Sequence, residues 1–162
     1  MNWIHSPLNT RKDAKVTNIV GDLIDKDECC AIIGGCFAVY RDKGCGFLDP
    51  VYQECVEIEF EHLKLSAVPQ PALSLSYRGR PLKQKHEPDF VCFGKIVLEL
   101  KAVANLVDEH RAQVLNYLNA TGFKLGLLVN FGHYPKLEWE RIVNTRSVEA
   151  IHAGQPPAGL SL

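Results

Sequence analysis

The chain has 162 residues, an ordinary globular composition and a formal net charge of −1. That length suits one domain burying roughly 70% of the surface its extended chain would expose. The near-neutral charge excludes a chain-wide basic field for nucleic acid, though not a local basic groove. No apolar run of about 18 residues and no signal peptide is read, so neither a membrane span nor a membrane partner is expected. Six cysteines (Cys29, Cys30, Cys36, Cys45, Cys55 and Cys92) include no C-x-x-C pair. A zinc site is therefore not expected, and reduced thiols in a cytoplasmic protein are the simplest reading.

Residues 1–26 mix proline, asparagine and charges with a short apolar piece, Val16 to Ile24, and read as an N-terminal extension. The first clear element spans about Asp27 to Lys43. Cys29, Ile32, Ile33, Cys36, Phe37 and Tyr40 recur at helical spacing as one buried stripe. Gly34-Gly35 inside it either weakens the helix or marks a close helix contact. Gly44-Cys45-Gly46 ends it. Asp49-Pro50 opens a second helix, with Asp49 as N-cap and Pro50 at the first position. Val51, Tyr52, Cys55, Val56, Phe60 and Leu63 form its apolar side, and Glu54, Glu57 and Glu61 a solvated acidic one.

Ala72 to Tyr77 alternates apolar and polar residues as a half-buried strand. The turn Arg78-Gly79-Arg80-Pro81 then leads into a basic loop with Lys83, Lys85 and His86. That loop is either a solvated connection or a contact for a phosphate backbone. Pro88 to Lys101 reads as a β-hairpin turning at Gly94-Lys95. A helix from about Asp108 to Thr121, with Ala112, Val114, Leu115 and Leu118 as its apolar packing, is closed by Gly122. Leu125 to Phe131 is a continuous apolar strand expected in mid-sheet, buried on both faces. Leu137 to Val143 is a last, more exposed strand. Residues 144–162, with Gly154, Pro156, Pro157 and Gly159, read as a loosely ordered C-terminal tail, leaving 27–143 as the domain. The order implies a mixed α/β sheet flanked by helices.

The chemistry concentrates in the Pro88–Lys101 hairpin. With the turn placed there, Asp89 and Glu99 fall within about one residue of facing each other. Glu99 and Lys101, two apart on one strand, share a face. Two carboxylates and an ammonium on an apolar sheet need a reason, because burying unpaired charge is costly. One reason is an internal ion pair of Lys101 with either acid. The other is a divalent cation site: Mg²⁺ or Mn²⁺ prefers carboxylate and carbonyl oxygens, and a lysine beside it can orient a water and stabilise charge developing on a phosphate. Gln113 and Tyr117 lie one helical turn apart and would face these carboxylates if their helix crosses the hairpin. Sequence places no histidine beside Cys45 or Cys92, which argues against a thiol enzyme.

These pieces, in this order, resemble the bacterial GxxExxY protein family, a branch of the PD-(D/E)XK nuclease superfamily. The matching residues are Gly46-Phe47-Leu48-Asp49-Pro50-Val51-Tyr52, Pro88-Asp89, Glu99-Leu100-Lys101, Gln113-Val114-Leu115-Asn116-Tyr117 and Gly126 to Gly132. The resemblance implies a restriction-endonuclease-like core, a central four-stranded sheet flanked by helices. It implies Asp89 and Glu99 as metal ligands with the Leu100 backbone carbonyl, Lys101 as the residue positioning water, and Gln113 and Tyr117 as the Q-x-x-x-Y element of RecB-like exonucleases. Asp49 stands where the family has Glu, and either joins the metal site or only caps its helix. The function so implied is Mg²⁺- or Mn²⁺-dependent hydrolysis of DNA phosphodiesters, with Arg78, Arg80, Lys83 and Lys85 contacting DNA. The alternative is a non-catalytic module on the same fold that binds nucleic acid or a protein partner.

Overall fold

The computed structural model describes residues 24–146, so the readings made for 1–23 and for the tail beyond 146 lie outside the described residues. Two helices come first. Helix α1 (Lys26–Lys43) buries Cys29, Ile32, Ile33, Cys36 and Val39. Phe37, expected in that stripe, is exposed, and Val39 takes the buried place. Helix α2 (Asp49–His62) buries Tyr52, Val56 and Phe60. Its N-cap is Leu48 rather than Asp49, so Asp49 lies within the first turn, where its negative charge suits the helix dipole. A Cβ on Gly35 would sit 2.8 Å from the Phe60 ring, so the close helix contact is the reason for that glycine, whereas Gly34 faces open space.

A five-stranded mixed sheet forms the centre, in the order β1–β4–β5–β6–β7. Its strands are β1 (Ala67–Pro69), β4 (Phe90–Cys92), β5 (Ile96–Lys101), β6 (Leu125–Asn130) and β7 (Glu138–Val143). Only the β5–β6 pair is parallel. Strand β1, three residues long and ending at Pro69, carries no readable alternation, and it makes the sheet one strand larger than the expected four. Strand β6 is buried along its whole length, as its apolar run predicts.

The remaining strands, β2 (Leu73–Tyr77) and β3 (Arg80–His86), form a separate two-stranded hairpin. The expected basic loop is therefore a strand, exposed at all seven positions. Its charges obscured the strand in sequence, and its pairing with β2 across a turn at Arg78-Gly79, both at positive φ, supplies the missing order. The β4–β5 hairpin turns one residue earlier than expected, at Phe93-Gly94, both again at positive φ, with the Lys95 amide donating to the Cys92 carbonyl at 3.1 Å.

Helix α3 (Asp108–Thr121) lies across β5 and β6, capped by Gly122 in the left-handed region. Val114, Tyr117 and Leu118 are its buried face, while Ala112 and Leu115, expected to pack, are exposed. A Cβ on Gly126 would collide with the Val114 side chain, so the bare backbone of β6 sets how close α3 comes to the sheet. Arg111 fastens the helix to β7 through two hydrogen bonds to Glu140, at 2.7 and 2.6 Å.

Candidate active site

The hairpin register decides the geometry. Phe90 pairs with Leu98, so the next residues outward, Asp89 and Glu99, stand opposite each other. Each carboxylate also holds the other strand's backbone. The Leu100 amide donates to Asp89 Oδ2 at 2.6 Å, and the Asp89 amide approaches Glu99 Oε2 at 3.4 Å. Lys101 Nζ donates to Glu99 Oε1 at 3.1 Å, with side-chain exposures of 15% and 5% for the pair. The expected ion pair thus exists, and it leaves Asp89 without a lysine of its own.

Electrostatics follow from burial. Glu99 is 4% exposed. Burial first, then the Asp89 charge opposite, pushes its carboxyl up to about 7. Asp89 is raised too, chiefly by burial and also by Asp49, while the Leu100 hydrogen bond and the Lys101 charge act downward. Two carboxylates one strand apart with one ammonium between them form a site short of positive charge. Asp49 adds a third negative charge within electrostatic reach of Asp89. A hard divalent cation, which prefers carboxylate and carbonyl oxygens, fits that donor set. Among the described residues no cluster of three or more Asp, Glu, His or Cys side chains is arranged to hold a metal. Asp49 is exposed and acts on Asp89 through its charge.

Neighbouring elements brace Asp89. Its carbonyl accepts from the Gln70 amide at 2.9 Å and from Gln53 Nε2 at 3.1 Å. Gln53 went unnoticed in the sequence, although it lies one turn after Asp49 and so shares its face of α2. Its other amide atom, Oε1, is buried without a hydrogen-bond partner among the described residues. Tyr52 explains the Gly46–Tyr52 motif. Its hydroxyl donates to the Gly44 carbonyl at 2.7 Å and accepts from the Phe47 amide at 3.3 Å, tying down the loop that precedes Asp49. Its ring stacks on Phe131 at 4.5 Å.

The far side of the site is held by the end of β6. Buried Asn130 accepts from the Val103 and Gly132 amides, both at 3.0 Å, and the Phe131 amide donates to the Lys101 carbonyl at 2.7 Å. A Cβ on Gly132 would collide with the Ala102–Val103 backbone. The Asn130-Phe131-Gly132 stretch therefore fastens the chain just past Lys101.

Helix α3 brings Gln113 and Tyr117 to the hairpin. Gln113 Nε2 donates to Tyr117 Oη at 3.1 Å, and Tyr117 Oη donates to the Glu87 carbonyl at 3.3 Å, two residues before Asp89. Burial, then the Glu99 charge, raises the Tyr117 phenol, so its oxygen stays protonated and able to donate. Leu100 is buried, and its amide donates to Asp89, so its backbone N–H and carbonyl both lie on the Asp89 side of β5. Arg78, Arg80, Lys83 and Lys85 all sit on the exposed β2–β3 hairpin, whose β2 packs against α3. All six cysteines are free thiols, and burial pushes those of Cys36 and Cys92 upward, away from reactivity.

The sequence profile of the PD-(D/E)XK nuclease superfamily matches residues 26–142. No curated protein matches significantly. A solved structure titled "Crystal structure of SSO0001" is similar with 18% identity and a TM-score of 0.48, over 69% of this chain. The match spans 61% of that structure's chain. No helix among the described residues is long and apolar enough to cross a membrane.

Proposed function

The chain belongs to the PD-(D/E)XK nuclease superfamily, and from that premise we propose that it is a divalent-metal-dependent nuclease of the GxxExxY branch hydrolysing DNA phosphodiesters. The catalytic unit would be residues 27–143, flanked by an N-terminal extension and a C-terminal tail. The observation that carries the reading is the facing pair Asp89 and Glu99, Glu99 buried and Asp89 half-buried, with a single lysine and each held to the other's backbone. Asp89, Glu99 and the Leu100 carbonyl would hold Mg²⁺ or Mn²⁺. The cation, when bound, supplies Lewis-acid charge and a more acidic water.

The chain's own residues do the rest. Lys101 orients the attacking water and places positive charge beside the phosphate. Gln53 and Gln70 fix the Asp89 backbone, so its carboxylate keeps one direction. Gln113 and Tyr117 brace the segment entering Asp89. Asp49 adds negative charge near Asp89 that favours cation binding. Arg78, Arg80, Lys83 and Lys85 receive the phosphate backbone.

Asp89→Ala and Glu99→Ala are expected to lower Mg²⁺- or Mn²⁺-dependent cleavage by more than about 100-fold, the scale of losing a group that organises transition-state charge. Far-UV circular dichroism should show both variants folded. Cleavage at the wild-type rate in both would remove this site assignment. The second reading, a non-cleaving module, draws on the closed Lys101–Glu99 ion pair, which leaves the lysine already engaged. A thermal shift separates the two: a cation bound by the folded state raises its melting temperature, and Asp89→Ala should abolish that rise.

A further inference from the structure

We propose that the cleft between the β2–β3 hairpin and α3 seats one unpaired nucleotide, so that the substrate is a single-stranded nucleic acid whose neighbouring phosphate reaches Asp89 and Glu99. This deepens the nuclease reading and rests on it for the position of the scissile bond.

The cleft has a volume of about 540 Å³ and is lined by Ser74, Ser76, His86, Asn116, Tyr117 and Asn119. That size lies in the range of small-molecule sites. Two hydroxyls and two carboxamides supply donors and acceptors suited to a base edge. Asn119 accepts from Asn144 through Oδ1 at 3.3 Å, which leaves its amide nitrogen to donate. The exposed His86 ring meets the buried Tyr117 ring edge to face at 5.5 Å, so His86 supplies the aromatic face of the cleft and Tyr117 backs it.

Tyr117 is also the connection to the carboxylates. Its hydroxyl donates to the Glu87 carbonyl, two residues before Asp89. A strand with one nucleotide against Tyr117 therefore has its adjoining backbone beside the acidic pair.

The hairpin has the charge of a nucleic-acid arm. Residues 72–86 contain Arg78, Arg80, Lys83 and Lys85 and no acid, within a chain of net charge −1. Lys85 stands opposite Ser74 in the hairpin register, so a cation flanks the cleft. At the hairpin tip, Tyr77 is 66% exposed and the Arg78 guanidinium lies 5.7 Å from its ring. An aromatic face among cations is the pattern that holds single strands, where bases stack and phosphates pair. Bases in a duplex have their faces stacked and their pairing edges occupied, and only an unpaired one can enter a cleft.

The test is fluorescence anisotropy in EDTA, which separates binding from cleavage. A short labelled single strand is compared with a blunt duplex of the same sequence. The single strand should bind at least about tenfold more tightly, consistent with stacking of about 1–3 kcal/mol per base. Asn116→Trp fills the cleft from the helix, and Ser76→Trp fills it from the hairpin. Either, shown folded by circular dichroism, should weaken single-strand binding by about tenfold and leave duplex binding unchanged. Equal affinity for both forms, or unchanged single-strand affinity in both folded variants, overturns the proposal. Metal-dependent cleavage is scored separately. A protein that cuts duplex and depends on Asp89, with no effect of cleft filling, keeps the nuclease reading and loses this one. Cleft-dependent single-strand binding without cleavage loses the nuclease reading and keeps the cleft.

Discussion

At the residue scale, the facing carboxylates tie stability to pH. An unfolded glutamate titrates near about 4.3. Burial, then the Asp89 charge, pushes Glu99 up to about 7 in the fold. Between those values the folded protein binds the proton more tightly than the unfolded chain, so this contribution to stability is full below about pH 4 and is lost as pH rises through about 7. The melting temperature in EDTA should therefore fall between pH 5 and pH 8, and Glu99→Gln should flatten the fall. Mn²⁺ should restore most of the loss at pH 8, where both carboxylates are ionised and free to bind it. A pH profile identical in wild type and Glu99→Gln would show that Glu99 titrates normally. The convergence of Asp89, Glu99 and Lys101 was visible in sequence because charge inside an apolar strand stands out. Gln53 was not, because an uncharged amide on a helix looks like any polar edge residue until the helix is packed.

At the element scale, two glycines set the frame. Gly126 lets α3 approach β6, and through it places Gln113 and Tyr117. Gly126→Ala must move Val114 or the helix, and should cost about 1–3 kcal/mol, as overpacking usually does. Urea unfolding measures that loss, and cleavage should fall with it because Tyr117 is displaced. A stability change below about 0.5 kcal/mol would mean that the helix adjusts without strain. Gly132 performs the same service for the backbone after Lys101, where only a residue without Cβ fits. Periodicity alone revealed α1, α2, α3, β5 and β6. It missed β1, too short to show alternation, and it read β3 as a loop because cations occupy a strand exposed on both faces. Strand formation there depends on pairing with β2, a contact that local composition does not encode.

At the scale of the whole molecule, the uneven charge distribution matters more than the net value. Four cations and no acid occupy residues 72–86 of a chain whose net charge is −1. Binding of a single strand should therefore weaken with salt in proportion to the hairpin cations engaged. Arg78→Ala with Lys83→Ala should reduce the slope of log affinity against log salt by about 1.4, about 0.7 for each lost single-strand contact. An unchanged slope would place the phosphate path elsewhere on the surface.

The helix-and-sheet composition, the hairpin that brings Asp89 to Glu99, and the Gln113–Tyr117 pairing were legible before any folding, because each depends on spacing along one or two neighbouring elements. Their surroundings came only with packing. The five-stranded order, the α2 face that delivers Asp49 and Gln53 to Asp89, and the separate hairpin that closes a cleft over Tyr117 all join residues far apart in the chain. Such contacts arise from burying one apolar face against another, and the local pattern shows which face is apolar without showing which partner it meets.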